Sequence, residues 1–457
     1  MVDHGAKIID WLSQLKSSYG FVPALMTVGT IVVAIAALSA PAAWGAAIAS
    51  FLGLPPAPDA EAMRDLMSLI AGATIGTGAV AFSVIVAASI NAAGQYGPRL
   101  LTNFLADRAT QITLGVFVSS FVYAILVYAA IREDAGGDVS IYGLAGMIGM
   151  TYALGSVAAL IFFLHHAPSA LRINQAISKI GESLLRNVST RFPANCAFAV
   201  NEMDMAAARR TYDARADAVP LRANQAGLVS IIDGGKLCEA AARVGALVTL
   251  RIRPGVFQVP GQVIADIHFG DGKGAQLSDE ALGELRSAFA IAKLRTPSQD
   301  NEFLADELTE IALRALSPGI NDPFTAIACM EWLAAALGEV ARTDDPVPYR
   351  RHEDGDFRLY AEPIDFAAYL QGTLSRIRQV SAANVRAAEG HMRSLALAAV
   401  GAAENKEAMR LIRDEARALV AQAELALAGP DLAAVHDAAE RFEAALASTP
   451  PALDKLR

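Results

Sequence analysis

Side chains able to do chemistry crowd into one stretch, Ala315–Ala326, which reads ALSPGINDPFTA. Ser317, Asn321 and Thr325 bring neutral donors, Asp322 a carboxylate, and Arg314 a cation just ahead of the stretch. Beside a helix N-terminus such donors attract an anion or a phosphate group, because unpaired backbone N–H groups and the helix dipole both favour negative charge. The same residues also read as punctuation. Pro318 and Gly319 stop one helix, Asp322 caps the next and Pro323 takes its first position. The readings that stay open are an anion or phosphate site, a rigid elbow at a subunit contact or gate, and a plain turn. The first two share one set of residues: Arg314, Ser317, Asn321, Asp322 and Thr325.

Elsewhere the ingredients of catalysis do not gather in sequence. Cys196, Cys238 and Cys329 lie far apart, with no CxxC or Cys/His ligand spacing, and read as reduced, buried thiols. Asp266 and His268 stand two apart on one strand face with Asp271 close by, a set that can ligate a metal but reads better as solvated polar residues. The run DGKG at 271–274 lacks the spacing of a phosphate-binding loop and reads as a turn. No catalytic residue, metal or cofactor is assigned, and the balance leans against an enzyme.

The elements around these residues divide the chain. Of 38 Lys/Arg and 47 Asp/Glu, only six and nine precede His166. Mean hydropathy is +0.35 and 54% of residues are hydrophobic, above an ordinary soluble protein. Four apolar runs, about 22–40, 66–91, 110–131 and 141–165, are each long enough to span roughly 30 Å of hydrocarbon. The first is too long for a signal peptide and reads as a retained helix. Lys7, Lys16, Arg99, Arg108, Arg172 and Lys179 lie on one side of these runs and net acidic loops on the other, so both ends of the bundle face inside. The second run carries Gly72, Gly76, Gly78 and Ala79, which suit close helix packing. Thr74, Thr77, Ser83, Ser89 and Asn91 in that run are possible pore-lining residues or an oligomer seam. The segment RLLTNFLADR reads as a short interfacial helix that offers Arg99 and Arg108 to lipid.

After His166 the pattern becomes that of a soluble α+β region. An amphipathic helix with Leu171, Ile173, Ile177, Ile180 and Leu184 on one face leaves the membrane. Strand signals follow in AGLVSII, ALVTLRIR and PGVFQVPGQVIADIHF, with turns at Pro254-Gly255 and Pro260-Gly261 and a short helix opened by Asp233. From Ser278 the pattern reads as helical almost to the end, broken by a polar, β or irregular stretch at 344–362.

Three blocks, RTPSQDNEFLADELTEIALRALSPGINDPFTA, QYGPRLLTNFLADRATQITLGVF and RPGVFQVPGQ, together resemble the bacterial predicted membrane proteins called domain of unknown function 2254. The chain departs from that pattern at Val256, where an acid is usual, and at Gln258, where Val is usual. The resemblance implies an integral membrane protein and supplies no activity or catalytic residues.

The expected fold is a mainly α membrane protein with four transmembrane helices and an α+β cytoplasmic domain, itself a small β-rich part and a helical C-terminal part. Its divisions are residues 1–166 for the transmembrane domain, 167–225 for the linker helix and connection, 226–275 for the β-rich subdomain and 276–457 for the helical region. The expected function is an oligomeric channel-like protein regulated by its cytoplasmic domain. The alternatives are a membrane-anchored sensor or scaffold, or a membrane-bound enzyme acting on a phosphorylated or lipid substrate. Expected partners are membrane lipids and further copies of the chain, in a bacterial inner membrane. The net charge of −9 argues against nucleic acid.

Overall fold

A computed structural model describes residues 20–53, 60–97, 107–131, 143–170, 172–188, 218–269, 277–296, 299–343, 348–353, 355–362 and 364–447. The chain forms two compact units that meet in sequence at Ala176 and Ile177. Among the described residues, five helices are long and apolar enough to cross a membrane.

The first unit holds α1 (Phe21–Ser39), α2 (Ala42–Phe51), α3 (Ala60–Tyr96), α4 (Arg108–Ala130) and α5 (Gly143–Ala170). Pro41 separates α1 from α2, since it carries no N–H to continue the first helix. Helix α3 has 37 residues and extends beyond the apolar run on both sides. Helix α4 packs against α1, α3 and α5, and is the most buried of the four long helices of this unit. Small residues set the approach of α3 to α5: Met63 lies over Gly146, and Met67 over Gly149. Several polar side chains between the helices find partners. Tyr123 donates to the Ala145 carbonyl at 2.9 Å and stacks on Tyr152, whose hydroxyl meets Thr30 Oγ1 at 3.0 Å. Ser120 and Ser156 hydroxyls lie 2.7 Å apart. Such bonds hold helices together where lipid gives no hydrophobic drive. Helix α6 (Ile173–Val188) runs unbroken through the sequence boundary. Its buried positions, Ala176, Ile177, Ile180, Leu184 and Val188, recur at helical spacing.

The second unit has a β lobe and a helical lobe. Strands β1 (Ala218–Arg222), β3 (Ala246–Leu250), β5 (Val263–Phe269), β7 (Tyr349–Arg351) and β8 (Phe357–Tyr360) form a sheet in the order β1-β5-β3-β8-β7. All its pairs are antiparallel except β3 with β8. Strand β3 is buried along its whole length, as expected for the centre of a covered sheet. A smaller sheet, in the order β4-β2-β6, joins β2 (Gly227–Ile232), β4 (Phe257–Gln258) and β6 (Phe289–Ala292). Helix α7 (Gly234–Arg243) is capped by Asp233, which accepts from Lys236 N, and α8 (Asp279–Arg286) by Ser278, which accepts from Ala281 N. The helical reading of the stretch after Ser278 fails at β6. AFAIA is compatible with either state by pattern, and tertiary pairing decides it: Phe289 lies opposite Ile232, and both are buried in the β-lobe core.

The helical lobe contains α9 (Asn301–Ala315), α10 (Pro323–Arg342), α11 (Phe366–Gly372), α12 (Leu374–Ser381), α13 (Val385–Gly401), α14 (Lys406–Ala426) and α15 (Gly429–Leu446). The helical pattern that resumes after the polar stretch at 344–362 breaks at Thr373, whose φ of −120° and ψ of −100° are not helical. Helix α10 is the fifth apolar helix. It differs from the others, with 67% of its apolar window buried inside the protein against 17–44%. It crosses α13 where Gly338 and Gly401 let the two backbones touch, and a Cβ at Gly401 would enter the Gly338 backbone. The indole ring of Trp332 of α10 lies against Gly181 of α6, where no Cβ would fit.

Candidate functional site

The ALSPGINDPFTA stretch joins α9 to α10, and each of its polar side chains already has a task. Helix α9 ends at Leu316, whose N–H reaches the Ala312 carbonyl at 3.0 Å. The Ser317 hydroxyl donates to the Arg314 carbonyl at 2.6 Å. Arg314 itself pairs with Glu310 at 3.3 Å along an exposed helix face. The chain then reverses: the N–H groups of Ile320 and Asn321 return to the Ser317 carbonyl, and Asp322 N donates to Ala315 O at 2.7 Å.

The residue that turns the chain is Asn321 rather than Gly319. Asn321 has φ +49°, and among the described residues no other non-glycine has a positive φ. Asn tolerates the left-handed region better than most residues because its short polar side chain can anchor locally. Here the anchor comes from α13: Asn384 Nδ2 donates to Asn321 Oδ1 at 3.3 Å, while Asn384 Oδ1 caps α13 by accepting from Ala387 N. Asn321→Gly should leave the stability of the detergent-solubilised chain, followed through its thermal midpoint, within about a few tenths of a kcal/mol of its present value. Asn321→Val should cost about 1–2 kcal/mol, since a β-branched residue resists this φ. Equal midpoints for the two variants would show that the backbone here is not the constraint.

Asp322 caps α10. One carboxylate oxygen accepts from Thr325 N at 3.1 Å and the other from Thr325 Oγ1 at 2.6 Å. The helix N-terminus, the place where an anion would sit, is therefore filled by the chain's own carboxylate. Burial, with Asp322 nearby, pushes the thiol of Cys329 on the next turn far up, so it stays protonated and unreactive. This geometry favours a rigid elbow over an anion site. Pro318, Gly319 and Phe324 are exposed at its tip, with Phe324 71% accessible.

The five polar residues of α3 do not share a face. Thr74 and Ser89 lie on the buried stripe, with Thr74 Oγ1 turned back to the Ile70 carbonyl at 2.7 Å. Thr77 is half-buried, and Ser83 and Asn91 are exposed. Arg108 is exposed at the start of α4, while Arg99 lies outside the described residues. Beside Arg108, Asp107 caps α4 through Thr110 and meets His166 Nε2 of α5 at 2.9 Å. Sequence reading gave no sign of that pair, because its partners are separated by 59 positions.

Asp266 and His268 are occupied across the sheet, Asp266 by Arg251 at 2.5 Å and His268 by Thr249 at 3.1 Å; Asp271 lies outside the described residues. Among the described residues no group of three His, Cys, Asp or Glu is placed to hold a metal.

A second polar cluster sits where the β lobe meets the helical lobe. Arg295, just after β6, makes a two-pronged contact with Asp300 (2.7 and 2.9 Å) and a third bond to Asp306 at 2.6 Å. Arg376 of α12 reaches the other oxygen of Asp306 at 2.8 Å. Burial opposes the Arg295 charge, yet the hydrogen bonds and charges of Asp300 and Asp306 hold its pKa above the ordinary value. Gly255, at φ +88° in the RPG turn, lies so close to the Asp300 carboxylate that no Cβ would fit. Two of the sequence blocks, RPGVFQVPGQ and RTPSQDNEF, thus meet in space.

The family model described as predicted membrane protein (DUF2254) matches residues 16–396. Uncharacterised proteins of Mycobacterium tuberculosis and Mycobacterium bovis are each 30% identical over 321 residues. The match covers 69% of this chain and 60% of theirs, so the chain spans less than two thirds of their length. No solved structure matches. The apolar helices of the first unit and the extent of the family match agree, and the chain belongs to the DUF2254 family of predicted membrane proteins.

Proposed function

We propose that this chain is a homo-oligomeric, channel-like protein of the bacterial inner membrane, crossing four times and regulated by a cytoplasmic second unit. The observation that carries the reading is the outward face of α3. Gly72, Gly76, Ala79, Ser83 and Ala87 recur along one exposed stripe, and around Gly72 and Gly76 there is open space. Small residues at this spacing let a second helix approach closely. Ser83 and the exposed Asn91 put polar atoms on or beside that face, where an oligomer can enclose them. Helix α10 is left out of the membrane in this reading because most of its apolar surface is already covered. The positive-inside balance supports a bundle with both ends inside.

Cysteines placed singly at Ala79 and Ser83 should cross-link into dimers under mild oxidation in native membranes, whereas a cysteine at the buried Ala81 should not. A chain that stays monomeric with every stripe cysteine, and passes no ion in liposomes, would remove the channel reading. The sensor or scaffold reading draws on the exposed Phe324 at the tip of a stiff elbow, a shape suited to a partner protein. The enzyme alternative finds little support. The Ser381–His391 pair, at 2.8 Å, is sealed with both residues 0% exposed.

A further inference from the structure

The small β4-β2-β6 sheet has two apolar faces, and the described residues cover only one of them. Pairing fixes which residue lies on which side. Val229, Ile232 and Phe289 turn inward to the β-lobe core, with Ile291 packed against it. Leu228 stands opposite both Phe257 and Ala292, and Ile231 opposite Ala290, so these residues share the outer face. A bulge at Ser230 puts Ile231 there. An antiparallel sheet with one covered face ordinarily shows polar residues on the other. Here Phe257 is 58% accessible and Ile231 39%, flanked by Val259 at 50% and Leu294 at 77%.

The rim is basic. The segments 222–233, 251–262 and 286–296 that build this sheet carry Arg222, Arg253, Arg286 and Lys293 against a single acid, Asp233, besides Arg251 and Arg295, whose charges are met by Asp266 and by Asp300 and Asp306. That balance is the reverse of the whole chain, whose net charge is −9. An apolar patch on strands flanked in sequence by an excess of cations matches a bilayer surface that carries anionic headgroups, with acyl chains beneath them. We propose that this face of the second unit docks on an anionic membrane surface, Phe257 and Ile231 entering the interface and Lys293 and Arg253 meeting headgroups. Membership of a membrane protein family supplies the bilayer; the inference does not depend on channel activity.

The test is amide hydrogen exchange of the full chain reconstituted in phosphatidylcholine alone and in a phosphatidylcholine–phosphatidylglycerol mixture, at two protein-to-lipid ratios. Segments 227–232, 255–262 and 289–294 should exchange more slowly in the mixed bilayer at both ratios. Phe257→Glu with Ile231→Glu should abolish that difference. Lys293→Gln with Arg253→Gln should shrink it. Both pairs should leave exchange in α10 and α13 unchanged, which reports an intact fold. Equal exchange in the two bilayers would overturn the proposal. Protection that follows protein density rather than lipid charge would also overturn it, assigning the face to a second copy of the chain.

Discussion

Arg295→Met should destabilise the second unit by about 3–5 kcal/mol, the range for removing one partner of a buried ion pair. The cost comes from what stays behind. The Asp300 side chain is 2% exposed, and its carboxylate spans the gap between the Gly255 turn and the first turn of α9, where it also accepts from Phe303 N at 3.0 Å. Without the guanidinium that carboxylate keeps one backbone bond and has no route to water, so it must carry an unpaired charge or take up a proton. Asp306 loses its inner partner too and keeps Arg376. A double replacement, Arg295→Met with Asp300→Asn, should recover much of the loss, since it removes the stranded charge while the amide oxygen can still cap α9. Arg393→Gln, which removes an exposed pair with Glu331, should change stability by less than about 1 kcal/mol. The readout is the opening free energy of the slowest-exchanging amides of β3, α9 and α10 in the full chain, because a two-unit membrane protein need not unfold in one step. A loss confined to α9 would mean that Arg295 only pins a helix end. A loss shared by the β lobe and the helical lobe is expected, because Arg295, Asp306 and Arg376 link them.

Which of these features could be read from sequence follows from how local each one is. The caps at Asp233 and Asp322, and Pro323 in the first turn of α10, were legible because a cap needs only its own next few residues. The apolar helices of the first unit were legible because their composition is extreme. Strand β6 was not: Phe289–Ala292 becomes a strand only because β2 lies beside it. At the elbow, the sequence read Pro318 and Gly319 as the end of one helix and gave no sign of where the chain reverses. The structure places the reversal at Asn321, whose left-handed φ is anchored by an asparagine 63 positions later. The polar residues of α3 were read as one lining because they are close in sequence. A helix distributes such residues round its circumference, and Thr74 and Ser83 fall on opposite sides. The Arg295 cluster was invisible for the same reason as the Asp107–His166 pair, since Arg376 and Asp306 are 70 positions apart.

The buried histidine of α13 carries the second large effect, and it is a dependence on pH. His391 looks isolated in sequence; in the fold it is 0% exposed, with Nδ1 2.8 Å from Ser381 Oγ and Nε2 without a hydrogen-bond partner. Burial, with the Arg378 charge beside it, pushes its pKa down to about 3. In the unfolded chain an imidazole titrates near 6.5. Above that value His391 is neutral in both states and does not make stability depend on pH. Between the two values the unfolded chain gains a proton that the folded chain refuses, so stability must fall as pH falls. The slope is about 1.4 kcal/mol per pH unit from this one group. Between pH 6.5 and pH 4.5 the loss should reach about 2–3 kcal/mol. His391→Gln offers Ser381 a neutral hydrogen-bonding partner that cannot titrate. It should flatten this part of the profile even where it lowers stability at pH 7.5. Arg378→Gln is a poor substitute, because it also strands Glu415, whose carboxylate Arg378 holds at 2.6 Å. Thermal midpoints of the full chain in detergent at pH 7.5 and 4.5, wild type beside His391→Gln, decide the matter. Parallel shifts in the two proteins would mean that the acid sensitivity resides in the carboxylates instead. A wild-type midpoint that falls further than the variant's identifies His391 as the group that must stay neutral for the helical lobe to remain closed.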